Sequence, residues 1–279
     1  MANFGVSIFP TDKAIQPIEL ALALEERGFD YLFVPEHTHI PVSRKTPFPG
    51  GGDLPEQYWR AHDPFVALTA AASVTKKLKV GTGICLVIER DPITLAKECA
   101  SLDYISNGRF ILGIGAGWNQ EEMENHGADY KNRWKIVREK VLAMKEIWTK
   151  DEAEFHGEFI EFDPIWSWPK PKQMGGPPMW MGANSKWVFD RVAEYCDGWM
   201  PIGGPGSGNI ARLNEACEKA GRSPGDITLA LFGAPSDEDQ LKGRMEQGFT
   251  EFILGLPQAE ADRVLPVLDR YSELIEKVR

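Results

Sequence analysis

The stretch Gly108-Arg109-Phe110-Ile111-Leu112-Gly113-Ile114-Gly115-Ala116-Gly117-Trp118-Asn119 decides the fold. It follows the turn residues Ser106-Asn107, runs through an apolar segment of strand length and ends in glycines and an aromatic. Gly113, Gly115 and Gly117 alternate, so an extended chain puts them on one face. A strand face without side chains marks close approach of another backbone or of a flat ligand. The stretch reads as a ligand floor at the end of a buried strand, with plain close packing as the alternative. A dinucleotide-binding loop would need a helix opening within the glycines and an acidic residue roughly 20 positions on. Here about a dozen polar residues are expected before the next helical pattern, and the acidic position is occupied by Trp134-Lys135-Ile136.

Outward from this strand, the same alternation covers the chain. Strands are predicted at Phe4–Phe9, Tyr31–Pro35, Leu78–Cys85, the glycine stretch, Met179–Met181, Gly198–Ile202, Ile227–Phe232 and Phe249–Leu254. Helices are predicted at Pro17–Arg27, from Asp63-Pro64 to Lys77, from Asp91-Pro92 to Asn107-Gly108, at Ser185–Cys196 and from Asn209 to Ala220. Pro at the first helical position and Gly just past the last are ordinary start and stop signals. Trp134, Val137, Val141, Met144 and Trp148 recur at three- and four-residue spacing and form one core-facing stripe. The final helix shows the same pattern in Val264, Val267, Tyr271, Leu274 and Val278. Residues 40–61 form a long Pro- and Gly-rich loop, a length that often serves as a lid. Residues 150–177 form an insertion with a hairpin over Ala153–Phe162 around His156-Gly157. Eight strands each followed by a helix imply parallel pairing and closure into a (β/α)8 TIM barrel, with a long loop after strand 2 and an insertion before strand 5. Residues 1–279 read as one such domain.

The balance of 43% hydrophobic and 26% charged residues is that of an ordinary globular protein. A net charge of -10, with no Lys/Arg block, argues against a nucleic-acid partner. Cys85, Cys99, Cys196 and Cys217 lie far apart in apolar segments without a CxxC, which implies buried reduced thiols. The first residues, Ala2-Asn3-Phe4-Gly5-Val6, carry no charged leader, and no apolar run reaches the ~18 residues a membrane span needs. The expected location is the cytoplasm.

In such a barrel, function lies where strands end and the following loops begin. Titratable side chains cluster there only after strand 2, as Glu36-His37. His37-x-His39 could suggest a metallohydrolase, but strands 5 to 8 offer no further ligands at their ends, so no metal is expected. His37, beside Glu36 and under the long loop, is placed for proton handling. Gly182-Ala183-Asn184-Ser185 leads toward a helix, with Asn184 or Ser185 as N-cap. Small residues at a positive helix end suit a phosphate. A barrel without charged catalytic groups, joined to a phosphate site, points to a cofactor that brings its own chemistry.

These residues resemble a known family along nearly the whole chain, the bacterial-luciferase-like flavin and deazaflavin oxidoreductases. The matching pieces are Val34-Pro35-Glu36-His37, Lys79 through Ile84, Gly108-Arg109-Phe110 through Gly117-Trp118-Asn119, and Pro177-Pro178-Met179-Trp180-Met181-Gly182. Within the family the chain is most similar to the branch using coenzyme F420, an 8-hydroxy-5-deazaflavin. The resemblance implies a cofactor ring across Gly83, Ile84, Gly117 and Trp118, a non-prolyl cis peptide at Gly83-Ile84, and a phosphate near Gly182, Ala183 and Asn184. It implies His37, with Glu36, as the catalytic pair facing the reacting carbon, and a homodimer. The family often has a second glycine where this chain has Ala183. The acidic residue that one branch carries after the glycine strand is replaced by Trp118, which weakens the case for that branch's sugar-phosphate substrate. The activity implied is hydride transfer between deazaflavin C5 and a small organic substrate. The alternatives are an FMN-dependent monooxygenase and a non-catalytic flavin-binding protein. Trp59 and Trp166, in the two long loops, are expected to wall the substrate pocket, with ordinary packing under the loops as the alternative.

Overall fold

The computed structural model describes residues 2–204 and 209–279. The chain starts with β1 (Asn3–Ser7), α1 (Pro17–Glu26) and β2 (Tyr31–Val34), then crosses the long loop to α2 (Gln57–Arg60) and α3 (Pro64–Val74). It continues through β3 (Lys79–Thr82), its short continuation β4 (Cys85–Leu86), α4 (Pro92–Ile105) and β5 (Phe110–Gly115). After α5 (Gln120–Asn125) and α6 (Arg133–Thr149) come the antiparallel pair β6 (Ala153–His156) and β7 (Glu161–Ile165). The last third holds β8 (Met179–Met181), α7 (Val188–Tyr195), β9 (Gly198–Trp199), α8 (Asn209–Lys219), β10 (Thr228–Ala234), α9 (Glu238–Glu246), β11 (Glu251–Gly255) and α10 (Ala261–Val278).

Parallel pairing runs β1-β2-β3-β5-β8-β9-β10-β11 and returns from β11 to β1, so eight strands close a TIM barrel. Local chemistry sets the helix starts. Pro64 and Pro92 occupy first helical positions, where no backbone N–H is missed. Asp63 and Asp91 cap those helices by accepting from Val66 N (3.0 Å) and Thr94 N (2.8 Å). The turn into β5 is equally local: Asn107 (φ 58°) and Gly108 (φ 79°) take left-handed backbone, and the Gly108 N–H bonds the Asp103 carbonyl at 2.8 Å. Arg109 then donates to the Ala72 and Thr75 carbonyls (2.8 and 3.0 Å), which satisfies the open C-terminal end of α3. Between strands and helices lies the main apolar shell.

The barrel interior is a separate, small cluster built on Tyr31, Phe33, Ile111, Trp180, Met200, Ala230 and Ile253. Phe33 stacks on Trp180 at 5.7 Å and meets Phe232 edge-on at 6.4 Å. Glycines on the strands facing them make room for these rings. A Cβ on Gly5 would overlap Tyr31, one on Gly81 the Phe33 ring, one on Gly198 the Trp180 ring and one on Gly83 the Phe232 ring.

Several expectations need correction. The predicted strand Leu78–Cys85 is broken at Gly83-Ile84, whose peptide is cis as the resemblance implied. A helix does begin directly after the glycine stretch, at Gln120. It is only six residues long and mostly polar, so no apolar period announces it. The helix after β8 starts at Val188 with Trp187 as N-cap and no side-chain cap, three residues beyond the expected Ser185. The insertion's second strand reaches Ile165 rather than stopping at Phe162. No helix among the described residues is long and apolar enough to cross a membrane.

Two glycine substitutions test the packing. Gly113→Ala is expected to lower stability by about 1–3 kcal/mol, because the methyl would overlap the Thr82 carbonyl oxygen inside the barrel. Gly243→Ala, in α9 with open space around it, is expected to raise stability by about 1 kcal/mol. Urea unfolding of both variants checks this, and shifts of the same sign would refute it.

Candidate functional site

At the C-terminal ends of the strands lies a cavity of about 660 Å³. Its wall is contributed strand by strand: Pro35-Glu36-His37 after β2, Gly83-Ile84 between β3 and β4, Ala116-Gly117-Trp118 after β5, and Gly182-Ala183 after β8. Phe232 of β10 closes its floor beside Gly83.

The glycine stretch serves this wall indirectly. Gly113 faces the Thr82 carbonyl and Gly115 faces the Ile84 side chain, so these two accommodate the neighbouring strand rather than a ligand. Gly182 meets Ile84 from the other side. Ile84 is therefore seated in a notch between two glycines at the cavity wall. Only Gly117 of the alternating set reaches the cavity, in left-handed backbone (φ 72°) that favours glycine.

His37 is buried, and its Nδ1 lies 2.7 Å from Oε2 of Glu122 on α5. That contact leaves Nε2 as the ring nitrogen free to act toward the cavity. Glu36 has both oxygens occupied: Oε2 accepts from Leu86 N and Oε1 from Arg90 Nε, each at 2.6 Å. Arg90 also donates to Asp63 (2.6 Å) and Glu98 (2.9 Å). Glu36 thus ties the turn after β2 to the segment following β4, and it holds His37 in place through the backbone they share.

The long loop closes over His37 with aromatic side chains. Tyr58 lies 5.2 Å from the His37 ring and Phe48 lies 5.1 Å from Tyr58; Trp118 packs edge-on against His37 at 5.9 Å. Burial raises the Tyr58 phenol above its ordinary value. Thr46 fixes the loop by donating N–H and Oγ1–H to Glu121, at 2.8 and 2.5 Å. The expectation of a lid is matched by this covering arrangement.

The structure brings together Glu36, His37, Gly83, Ile84, Gly117, Trp118, Gly182 and Ala183 in one cavity wall. It places Asn184 outside that wall, exposed, with Nδ2 donating to the Ile202 carbonyl at 3.1 Å. Trp59 and Trp166 also lie outside it, 50% and 78% exposed. On the short α2 helix one residue of offset turns Tyr58 inward and its neighbour Trp59 outward. Trp166 instead donates to Glu152 at 3.1 Å beside the hairpin. Sequence reasoning missed Glu122. The spacing Asn119-x-x-Glu122 is a capping-box pattern that could have revealed the α5 start. Asn119 does cap Glu122 N at 3.2 Å, but the Glu122 carboxylate turns to His37. Among the described residues no metal-binding group of side chains occurs.

The sequence profile of the luciferase-like monooxygenase family matches residues 10–273. An uncharacterized protein of Mycobacterium tuberculosis is 38% identical over 275 residues, 97% of each chain. The F420-dependent glucose-6-phosphate dehydrogenase of Mycolicibacterium gilvum is 28% identical over 225 residues, 75% of this chain and 61% of the other. Among solved structures, an F420-dependent secondary alcohol dehydrogenase in complex with an F420-acetone adduct shares the fold, with a TM-score of 0.76 at 19% identity over 100% of this chain and 99% of the other.

The Glu36–Arg90 contact has a stability consequence. Removing one partner of a buried ion pair typically costs about 3–5 kcal/mol, and Asp63 and Glu98 remain to pair Arg90. Glu36→Ala is therefore expected to cost about 3 kcal/mol in chemical denaturation. A loss below about 1 kcal/mol, the scale of an exposed pair, would refute the anchoring role.

Proposed function

We propose, from the premise that this chain belongs to the luciferase-like monooxygenase family, that it is a coenzyme F420-dependent oxidoreductase acting on a small organic substrate. The observation that carries this reading is His37 in the wall of a glycine-edged, mostly apolar cavity, with Glu122 behind it at 2.7 Å from Nδ1. The relatedness to an F420-dependent dehydrogenase supports the choice of cofactor.

The residues present fit a flat ring. Gly83, Gly117 and Gly182 put no side chain into the cavity, and Ile84, held between Gly115 and Gly182, offers an apolar backing surface. Gly83, Ile84, Gly117 and Trp118 would hold the ring; Gly182 and Ala183, with Asn184 beyond the wall, would face its phosphate tail. The deazaflavin, when bound, supplies a two-electron hydride carrier at C5 that reacts slowly with oxygen.

The protein's own residues do the rest. His37 Nε2 takes the hydroxyl proton when a substrate alcohol is oxidised, or gives one to the carbonyl oxygen when a substrate carbonyl is reduced. Glu122 fixes the ring orientation through Nδ1. Glu36 keeps the turn bearing His37 in register through Leu86 and Arg90. Phe48, Tyr58 and Trp118 exclude water over the imidazole, which strengthens the electrostatic interactions beneath. The cavity wall carries no Lys or Arg among the described residues, so an uncharged alcohol or carbonyl compound suits it better than a phosphorylated sugar. The second reading is an FMN-dependent monooxygenase, favoured by the description of the family itself.

Equilibrium binding of coenzyme F420 and of FMN to the purified protein, side by side, separates the two. Micromolar or tighter binding of F420 with weak FMN binding is expected. The reverse preference would move the assignment to the monooxygenase, and binding of neither would overturn the cofactor reading. In the F420-loaded enzyme, His37→Ala is expected to lower kcat by about 10²–10⁴-fold; a loss of less than a few-fold would remove His37 from proton transfer.

A further inference from the structure

Behind His37 lies a second carboxyl that the cavity does not use. Glu89 ends a 3₁₀ turn (Val87–Glu89) and its side chain is 1% exposed. Neither of its oxygens meets a protein donor among the described residues, and Oε1 of Glu122 is also buried without one. The cations nearby are committed elsewhere. Arg90 serves Glu36, Asp63 and Glu98, and Lys140 Nζ donates to the carbonyls of Val87, Ile88 and Arg90. An ionised carboxylate without donors in such a place costs far more than a neutral acid.

Glu122 and His126 stand four residues apart on one face of α5. His126 Nε2 lies 3.7 Å from Glu89 Oε2 and 2.8 Å from Oγ1 of exposed Thr38. The His126 side chain is 29% exposed. His37 thus meets Glu122, the charge of Glu122 acts on Glu89, and Glu89 faces the partly exposed His126.

We propose that Glu89 is held as a neutral acid and, with Glu122, passes protons between His37 and solvent through His126. The inference rests on the proton-handling role given to His37 above. A proton taken at His37 Nε2 is matched by release of the Nδ1 proton to Glu122. Glu89 gives its own proton to His126 and regains one from Glu122, and His126 releases one to solvent. One proton enters and one leaves; Glu122, Glu89 and His126 return to their starting states, and His37 is left as its Nε2–H tautomer, which gives that proton back in the carbonyl-reducing direction.

The groups facing Glu89 are Glu122 and His126 from α5, Glu36 from the turn after β2, Arg90 next in the chain and Lys140 from α6. Burial first, then the charges of Glu122 and Glu36, push the Glu89 carboxyl up to about 9. Because the folded value lies above the unfolded one, the stability linked to this proton is fully present below the unfolded value. It is lost as pH rises through the folded value.

The test needs no cofactor. Infrared spectra of the wild-type protein near neutral pH should show a protonated carboxylic C=O band that is absent from Glu89→Gln. Between the ordinary glutamate value of about 4.3 and about 9, wild-type stability should fall against that of Glu89→Gln by up to about tenfold in folding equilibrium constant per pH unit. The His37 ring titration, followed by NMR, should shift its midpoint in Glu89→Gln. Should that variant not fold, Glu122→Gln should lower the pH at which the band disappears. A band that is missing, that survives in Glu89→Gln or that titrates unchanged in Glu122→Gln overturns the neutral acid, and an unmoved His37 midpoint overturns the link. Turnover with F420 is a separate arm: its failure with the band and linkage intact faults the cofactor reading and not the proton path.

Discussion

A closed eight-stranded barrel has a fixed interior, and how that space is filled constrains everything above it. Here four large rings, Tyr31, Phe33, Trp180 and Phe232, crowd the lower and middle levels. Interiors pack at crystal density, so each ring needs a matching gap on a strand it faces. Gly5, Gly81, Gly198 and Gly83 are those gaps. The complementarity is strict because strand spacing in a closed sheet cannot widen locally to admit a methyl group.

The same trade of large against small shapes the cavity. Where Gly83 yields to Phe232, β3 breaks, and Ile84 emerges between Gly115 and Gly182. The cavity begins above that level, its wall made of glycine backbone and mostly aliphatic and aromatic side chains. Such a wall selects for flatness and low polarity rather than for charge. The carboxyl and the imidazole of the wall, Glu36 and His37, both come from the turn after β2, with the Glu36 carboxylate held by Leu86 and Arg90.

Much of this was legible in the sequence. Strand-length apolar runs alternating with capped helices specify the barrel, since both signals are local and repeat eight times. Glu36-His37 stood out because every other strand end was glycine, small or apolar. What was illegible depended on side-chain direction within short or polar elements. The glycine face of β5 read as a ligand floor, yet Gly113 and Gly115 face Thr82 and Ile84, a pairing that exists only once the barrel closes. Trp59 and Trp166 read as pocket walls because large aromatics in long loops usually bury. The register of a four-residue helix decided for Tyr58 instead. Glu122 escaped because α5 is too short and too polar to show a period, although its capping spacing was present.

An apolar cavity of this kind has a difficulty that the buried side chains behind it resolve. On the proton-handling role proposed for His37, the aromatic cover over its ring turns proton exchange toward the buried groups behind it. The carboxyls of Glu36, Glu89 and Glu122 converge behind His37, while Arg90 is spent on Glu36 and Lys140 on backbone carbonyls. Three ionised carboxylates could not share such a space, because like charges at close range in low dielectric repel strongly. The arrangement is stable only if one of them keeps its proton, and the one without donors is Glu89. On the proposed reading, the burial behind His37 is therefore also what keeps a proton on Glu89, next to the pair given the proton-handling role.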